Sequence, residues 1–134
     1  MISALVRGVC DHLGASADQT SSVELCAVEA VTNAIKHAYR GIPGNRITLE
    51  VCYTSERLDL SVLDQGLRMP PEQQEKFATG SHVFEFDPDD LNSLPEGGMG
   101  LEIIRQEMDQ TSWSEEAAGN CLRMTKFLLP LASL

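Results

Sequence analysis

Apolar residues recur at helical spacing in the first part of the chain. Leu5, Val9 and Leu13 lie four residues apart, which predicts a short helix from Ser3 to Leu13. The stretch from Gly14 to Gln19 lacks this spacing and is expected to break the helix. A second helix is therefore predicted to begin after the break.

The second predicted helix has two faces of different chemistry. Ser21 or Ser22 can cap its first turn, and the helical pattern continues to about residue 39. Glu29, Asn33 and His37 follow at successive four-residue steps, so they share one face. The opposite face is predicted to be the core stripe, which contains Val28, Val31, Ile35 and Ala38.

Alternating apolar and polar residues predict four β-strands later in the chain. Ile47 to Tyr53 and Leu58 to Leu63 are separated by a short polar connection, so they are expected to form an antiparallel hairpin. Thr111 to Ser114 and Cys121 to Leu129 are predicted to form a closing hairpin.

Two shorter helices are predicted between the hairpins. The first starts at Pro70-Pro71 and ends near Phe77, and the second runs from Gly100 to about Asp109. The inward residues of the second are predicted to be Leu101, Ile104 and Met108. Residues 78–97 between them have no clear period, which in a small domain usually marks a functional or disordered stretch.

The composition fits one globular domain. The chain has 134 residues, of which 43% are hydrophobic, and its formal net charge of −10 would repel the phosphate backbone of nucleic acids. No apolar run approaches the roughly 18 residues that a membrane helix needs. The four cysteines form no CxxC pair and lie among apolar residues, so buried, reduced thiols in a cytoplasmic protein are expected.

Three separated segments carry the residue types of a nucleotide site, and the first lies on the second helix. The amide oxygen of Asn33 suits Mg²⁺, and Glu29, one turn earlier, can accept a proton from an attacking hydroxyl. Lys36 and His37 can touch phosphates or simply be solvated. Exposed asparagine and glutamate are common in helices, so this segment alone would not indicate a site.

The second segment is Asp64-Gln65-Gly66, at the end of a predicted strand. An ionised carboxylate only accepts hydrogen bonds, whereas adenine presents an amino donor and guanine a carbonyl oxygen. A buried Asp64 would therefore favour ATP over GTP. Asp-X-Gly turns are frequent in all proteins, so in isolation this segment indicates only a turn.

The third segment is a glycine run directly before the last predicted helix. Gly97, Gly98 and Gly100, with Met99 between them, let backbone amides converge on an anion, and the helix N-terminus adds a favourable dipole. The run is neither a Walker A loop nor a dinucleotide fingerprint, and alone it would be only a hinge. Together the three segments predict a small ATP-binding domain that transfers a phosphoryl group.

The three segments resemble the N, G1 and G2 boxes of the GHKL ATPases. More narrowly, the chain from about Val23 to Leu129 resembles the bacterial anti-sigma-factor serine kinases of the RsbW and SpoIIAB type. The most specific piece runs from Glu29 to Tyr39, and Gly98 to Leu101 and Leu122 to Lys126 also match. The resemblance implies one α+β domain over residues 1–134. It would be a two-layer sandwich whose mixed, mostly antiparallel sheet is covered by helices on one face.

The resemblance also implies ATP and Mg²⁺ and assigns roles by position. Asn33 would be the metal ligand, Glu29 the general base and Asp64 the reader of adenine, with Gly66 supporting its turn. Thr125 would lie near adenine. The phosphate loop would be formed by Gly97, Gly98, Met99, Gly100 and Leu101.

Two features depart from the family pattern. The G1 box usually has a second glycine two residues after Gly66, but Arg68 stands there and would narrow the pocket or place a cation near the nucleotide. The chain also starts inside what should be the family's first helix, so the family's N-terminal strand is expected to be missing. Residues 78–97 would form the ATP lid.

The resemblance implies a partner-switching serine kinase. It would phosphorylate a STAS-domain antagonist and sequester a sigma factor or another regulatory protein, with no direct nucleic-acid or membrane contact. Relatives of this kind are often dimers, so a homodimer is also open. The alternative is a binding module in which nucleotide only biases partner choice. A histidine-kinase ATP domain cut from a longer chain is ranked lower, since no phosphoacceptor helix hairpin precedes the domain.

Overall fold

Four α-helices and four β-strands form the described part of the chain. The computed structural model describes residues 1–79, 89, 99–117 and 119–128. The helices are α1 (Ile2–Leu13), α2 (Ala17–Asn33), α3 (Pro71–Thr79) and α4 (Met99–Glu107), and a π-helical turn (Ala34–Ala38) continues α2. The strands are β1 (Ile47–Tyr53), β2 (Arg57–Asp64), β3 (Gln110–Glu116) and β4 (Gly119–Phe127).

The strands form one antiparallel sheet in the order β1-β2-β4-β3. Both hairpins predicted from sequence are confirmed, and the sheet joins them through β2 and β4. Asp64 at the end of β2 pairs with Asn120 at the start of β4. This pairing brings one polar residue from each hairpin together at the same end of the two central strands.

Helix α2 begins earlier than predicted. Its N-cap is Ser16, whose hydroxyl oxygen accepts a hydrogen bond from the Gln19 N–H at 3.1 Å, while the Gln19 side chain accepts one from the Ser16 N–H at 2.9 Å. This reciprocal capping box satisfies two backbone donors that the first helical turn leaves free. The predicted cap at Ser21 or Ser22 is therefore wrong, because the stretch interpreted as a break already carries the cap.

The buried stripe of α2 also differs from the prediction. Small residues form it: Cys26, Ala27, Ala30 and Ala34, together with Val23. Val28 and Ile35, which were predicted to be inward, are 39% and 46% exposed. Helix α2 packs against both α1 and α4, and small side chains allow that close approach.

The core lies between the helices and one face of the sheet. Leu58, Leu60 and Val62 of β2 and Met124 of β4 are buried there, as is Ile104 of α4. Because side chains alternate along a strand, Asp59 and Thr125 lie on the other face of the sheet. The predicted inward residues of α4, Leu101, Ile104 and Met108, are all buried.

The four cysteines are free thiols, as expected from their spacing. Cys10, Cys26 and Cys121 are buried and Cys52 is exposed. Burial raises the pKa of the Cys26 thiol to about 12, so this group stays neutral at physiological pH. Among the described residues, no helix is long and apolar enough to cross a bilayer.

Candidate nucleotide site

One cavity brings the first two predicted segments together. It has a volume of about 230 Å³ and lies where α2 and its π-helical turn meet the end of β2. Asn33 enters it from α2 and Asp64 from β2. The other lining residues are His37, Ala38, Arg40, Leu67, Arg68, Met69, Pro70, Gln73, Trp113 and Asn120.

Asp64 is held by one of its two carboxylate oxygens. Its Oδ1 accepts hydrogen bonds from the Gly66 N–H and from the Asn120 side-chain amide, each at 2.9 Å. Within the described part of the chain, Oδ2 accepts no hydrogen bond. The turn therefore orients the carboxylate through Oδ1 and leaves Oδ2 available to a ligand in the cavity.

Asn120 is a site residue that the sequence interpretation missed. Its side chain is 5% exposed, and besides Asp64 its amide also approaches the carbonyl oxygens of Gly66 at 3.2 Å and Leu67 at 3.1 Å. A buried amide with three acceptors ties β4 to the turn that follows β2. A polar residue at the start of a strand was the only signal in the sequence, and the pairing with Asp64 could not be known before the sheet order.

Gly66 is required by a close approach of two backbone segments. A Cβ at Gly66 would lie 2.4 Å from the Ala38 carbonyl oxygen, which also accepts the Leu67 N–H at 2.8 Å. Ala38 ends the π-helical turn, so its carbonyl is free to accept that bond. The turn after β2 is thus pressed directly onto the end of the helix that carries Asn33.

A second glycine closes the same junction from β4. Gly119 has a φ of +127°, and a Cβ there would clash with the Asp64 carbonyl oxygen. The predicted closing hairpin gave no indication of this contact. Gly66 and Gly119 therefore let three backbone segments meet around Asp64.

Two cationic or titratable side chains stand at the cavity. Arg68 lines it and forms an ion pair with Glu115, with the Nη2 and Oε2 atoms 3.2 Å apart. Both side chains are more than half exposed, so the pair adds little stability. His37 is exposed and also lines the cavity.

Glu29 lies one turn before Asn33 and beside α4 rather than on the cavity wall. It is half-buried, and a Cβ built on Gly100 would lie 2.9 Å from its Oε2. The start of α4, where the glycine run ends, is therefore adjacent to the helix face that carries Glu29 and Asn33.

Lys36, Leu101 and Thr125 are among the predicted nucleotide-binding residues that do not line the cavity. Lys36 is exposed outside its lining, and Leu101 is 6% exposed because it packs into the core. Thr125 lies on the other face of the sheet and donates a hydrogen bond to Asp59. The Arg57 guanidinium, also bonded to Asp59, lowers the pKa of that carboxyl. Strand alternation points Thr125 away from the helices and from this cavity.

Of the other residues predicted to form the phosphate loop, the structure describes only some. Gly97 and Gly98 lie outside the described residues, as does nearly all of the 78–97 stretch predicted to be the ATP lid. Met99 and Gly100 open α4.

The residues present fit a magnesium ion that also binds phosphates. The described residues contain no cluster of three or more His, Cys, Asp or Glu side chains that could hold a metal alone. Asn33 makes no side-chain hydrogen bond to any described residue, so its amide oxygen is available as one hard ligand at the cavity. Mg²⁺ commonly takes one or two protein oxygens and completes its shell with phosphates and water.

The family model for the histidine kinase-like ATPase domain matches residues 2–126. The chain belongs to this family. The match covers both hairpins, α2 and α4, so it includes every described residue of the site just outlined.

Curated relatives of this histidine kinase-like ATPase domain are named serine-protein kinase RsbW. The protein from Staphylococcus epidermidis is 32% identical over 132 residues, which cover 96% of this chain and 78% of the relative. The Bacillus subtilis protein is 27% identical over 131 residues, covering 96% and 77% respectively.

Solved structures confirm the α+β fold. The blue-light activated histidine kinase of Erythrobacter litoralis EL346 aligns with a TM-score of 0.59 at 19% identity, over 90% of this chain and 34% of that one. The mycobacterial sensor histidine kinase MprB aligns with a TM-score of 0.53 at 21% identity, over 84% and 76%. The chain thus spans about a third of the first of these proteins.

Proposed function

We propose that this protein is an ATP-dependent serine protein kinase and anti-sigma-type switch protein. It would phosphorylate a serine of a STAS-domain antagonist and sequester a sigma factor or another regulatory protein in the cytoplasm. The observation that carries the proposal is the shared cavity of Asn33 and Asp64, with Glu29 one turn from Asn33. The relatives named serine-protein kinase RsbW support the reaction type.

Asp64 supplies the recognition of adenine in this proposal. Its Oδ1 is already bonded to Gly66 and Asn120, so Oδ2 accepts the hydrogen bond from the exocyclic amino group. Guanine would place a carbonyl oxygen against the same carboxylate and leave both acceptors without a donor. The site therefore selects ATP over GTP.

Asn33 is the residue that would hold Mg²⁺ through its amide oxygen. Mg²⁺ bound there would offset the negative charge of the phosphates. His37 at the cavity wall and Arg68 at its edge add positive or hydrogen-bonding groups near the phosphates. These local groups act against the overall charge of −10.

Glu29 is the proposed general base. The serine hydroxyl oxygen of the antagonist forms a bond to the γ-phosphorus, the bond from that phosphorus to the β–γ bridging oxygen breaks, and ADP leaves. Glu29 accepts the hydroxyl proton as the new bond forms. The glycine run at Gly97, Gly98 and Gly100 would stabilise the phosphates through backbone N–H groups.

The proposal predicts that Glu29→Gln abolishes phosphoryl transfer while ATP still binds. The amide keeps the size of the side chain but cannot accept the proton at neutral pH, so a loss of about 100-fold or more in transfer rate is expected. Phosphorylation of the STAS-domain antagonist with labelled ATP measures the rate, and calorimetry measures ATP affinity.

Glu24→Gln is the matched control for this experiment. Glu24 lies on the same helix and forms an ion pair with Arg7, at 2.7 Å between Nε and Oε2, on the side that faces α1. Its substitution should leave transfer unchanged. Undiminished transfer by Glu29→Gln would remove Glu29 from the base role.

A nucleotide-biased binding module is the second candidate, and one observation favours it. Arg68 lines the cavity and is bonded to Glu115, in a position where the family pattern usually has glycine. A narrowed pocket can bind nucleotide without presenting the γ-phosphate to a substrate. ATP binding without transfer to the antagonist of its own cell would favour this module over the kinase.

A further inference from the structure

The side chain that Gly100 lacks would meet the tip of Glu29. Gly100 is the second residue of α4, and a Cβ built on it would lie 2.9 Å from the Glu29 Oε2 and 4.0 Å from its Cδ. Apart from its chain neighbours and the backbone of its own helix, no other described heavy atom lies within 4 Å of that position. The only described obstacle to a side chain at Gly100 is therefore the tip of Glu29.

The Glu29 carboxylate is not held by hydrogen bonds in the described part of the protein. It is half-buried between α2 and the start of α4, two helices that pack against each other. The backbone of α2 sets where the side chain starts, and the surface of α4 sets where its carboxylate can lie. A methyl group added to that surface at Gly100 would crowd Oε2, and the carboxylate would have to shift.

We propose that Gly100 is a positioning residue for the Glu29 carboxylate. Its missing side chain leaves the space in which the base is held against α4. This inference rests on the proposed role of Glu29 in phosphoryl transfer. It assigns Gly100 a role in orienting the base, separate from contact with phosphates.

Gly100 differs in this respect from the two glycines beside Asp64. A Cβ at Gly66 or Gly119 would meet backbone atoms, which cannot move without disrupting the junction. A Cβ at Gly100 meets the end of a flexible side chain, which can rotate away at little cost. Alanine is also the better helix former, so the fold should tolerate Gly100→Ala.

The proposal predicts that Gly100→Ala lowers kcat for phosphoryl transfer and leaves ATP binding unchanged. A displacement of about 1 Å in a reacting group can reduce the rate by about 100-fold, and the 2.9 Å approach requires a smaller shift of the carboxylate. We expect kcat to fall by up to roughly 10-fold, with KM and Kd for ATP within about twofold of the original protein. The melting temperature should be equal or higher.

Gly8→Ala is the matched control. Gly8 is also helical, in α1, and nothing lies within 4 Å of its Cβ position. The Gly8→Ala variant should gain helix stability in the same way as Gly100→Ala, and its kcat and KM should not change. A kcat decrease in Gly100→Ala alone isolates the contact with Glu29 from the general effect of alanine in a helix.

Shortening Glu29 supplies a second test. Glu29→Asp withdraws the carboxylate by one methylene, so adding Gly100→Ala to it should reduce kcat by a much smaller factor than in the original protein. If Gly100→Ala alone unfolds, Glu29→Asp in the same chain should restore folding, because the obstacle is the tip of Glu29. Failure to restore it would overturn the inference.

Two further results would overturn the positioning role of Gly100. One is transfer by Gly100→Ala at the original rate. The other is a loss of ATP affinity that accounts for the whole decrease in transfer, which would make Gly100 a phosphate-loop residue only. Glu29→Gln, measured alongside, separates failure of the base role of Glu29 from failure of the positioning role of Gly100. If Glu29→Gln transfers the phosphoryl group normally, Glu29 is not the base, whatever Gly100→Ala does.

Discussion

At the residue scale, the site depends on one buried amide that orients one carboxylate. Asn120 is nearly inaccessible and donates towards Asp64, Gly66 and Leu67. Buried polar groups that lose their partners carry the full cost of desolvation. The amide therefore stabilises the turn and helps to determine which oxygen of Asp64 remains available to a ligand in the cavity.

Asn120→Ala should weaken both the fold and ATP binding. The substitution leaves buried carbonyl oxygens and the Asp64 Oδ1 with fewer donors, which costs about 1–3 kcal/mol of unfolding free energy. ATP affinity should fall by roughly 10-fold, because the Asp64 carboxylate is then oriented only by the Gly66 N–H. Urea unfolding and calorimetry with ATP measure the two effects.

Asn45→Ala is a suitable comparison for Asn120→Ala. The Asn45 amide also donates to a backbone carbonyl, that of Ile42 at 2.9 Å, but in an exposed loop. It should lose little stability and no ATP affinity. Equal effects from the two substitutions would contradict a special role for Asn120.

At the scale of single elements, the sequence predicted the strands and α4 well and α2 poorly. Hydrophobic alternation found both hairpins, because each strand buries one face. In α2 and its π-helical turn the large apolar residues Leu25, Val28 and Ile35 are exposed, and the buried stripe consists mainly of small residues. Contact with two other helices selects small side chains, which a pattern of large apolar residues cannot reveal.

The start of α2 was predictable in principle. Ser16 and Gln19 have the spacing of a capping box, but the nearby Gly14 favoured an interpretation as a break. The π-helical turn that follows Asn33 had no recognisable sequence signal. This turn places the Ala38 carbonyl against the turn after β2, so the detailed junction could not be predicted from sequence.

Ser16→Ala should destabilise the helix that carries Glu29 and Asn33. Loss of the side-chain cap leaves the Gln19 N–H without its acceptor and is expected to cost about 1 kcal/mol of unfolding free energy. Chemical denaturation measures the change. Ser21→Ala on the exposed surface of the same helix should change stability by less than about 0.5 kcal/mol; if it costs as much as Ser16→Ala, the cap is not the cause.

At the scale of the whole molecule, the sheet order assembles the site. Asn33, Asp64 and Asn120 come from separate parts of the chain and meet because β2 lies beside β4 and α2 packs over them. Asn33, His37 and Asp64, which come from the first two segments, line one cavity. Thr125 does not, because its position on the outer face depends on a strand register that local patterns leave open.

ATP binding by variants of Asp64 tests the central claim most directly. Asp64→Asn keeps an oxygen that can accept from Gly66 and Asn120 but replaces the available oxygen with an amide that faces the adenine amino group. Calorimetry with ATP and GTP, in the presence of Mg²⁺, should show that the original protein prefers ATP. The variant should lose at least about 10-fold in ATP affinity, or about 1.4 kcal/mol, while Asp59→Asn on the outer face of β2 keeps it. A folded original protein that binds no ATP, or an Asp64→Asn variant that binds ATP as tightly and selectively as the original, would contradict the account.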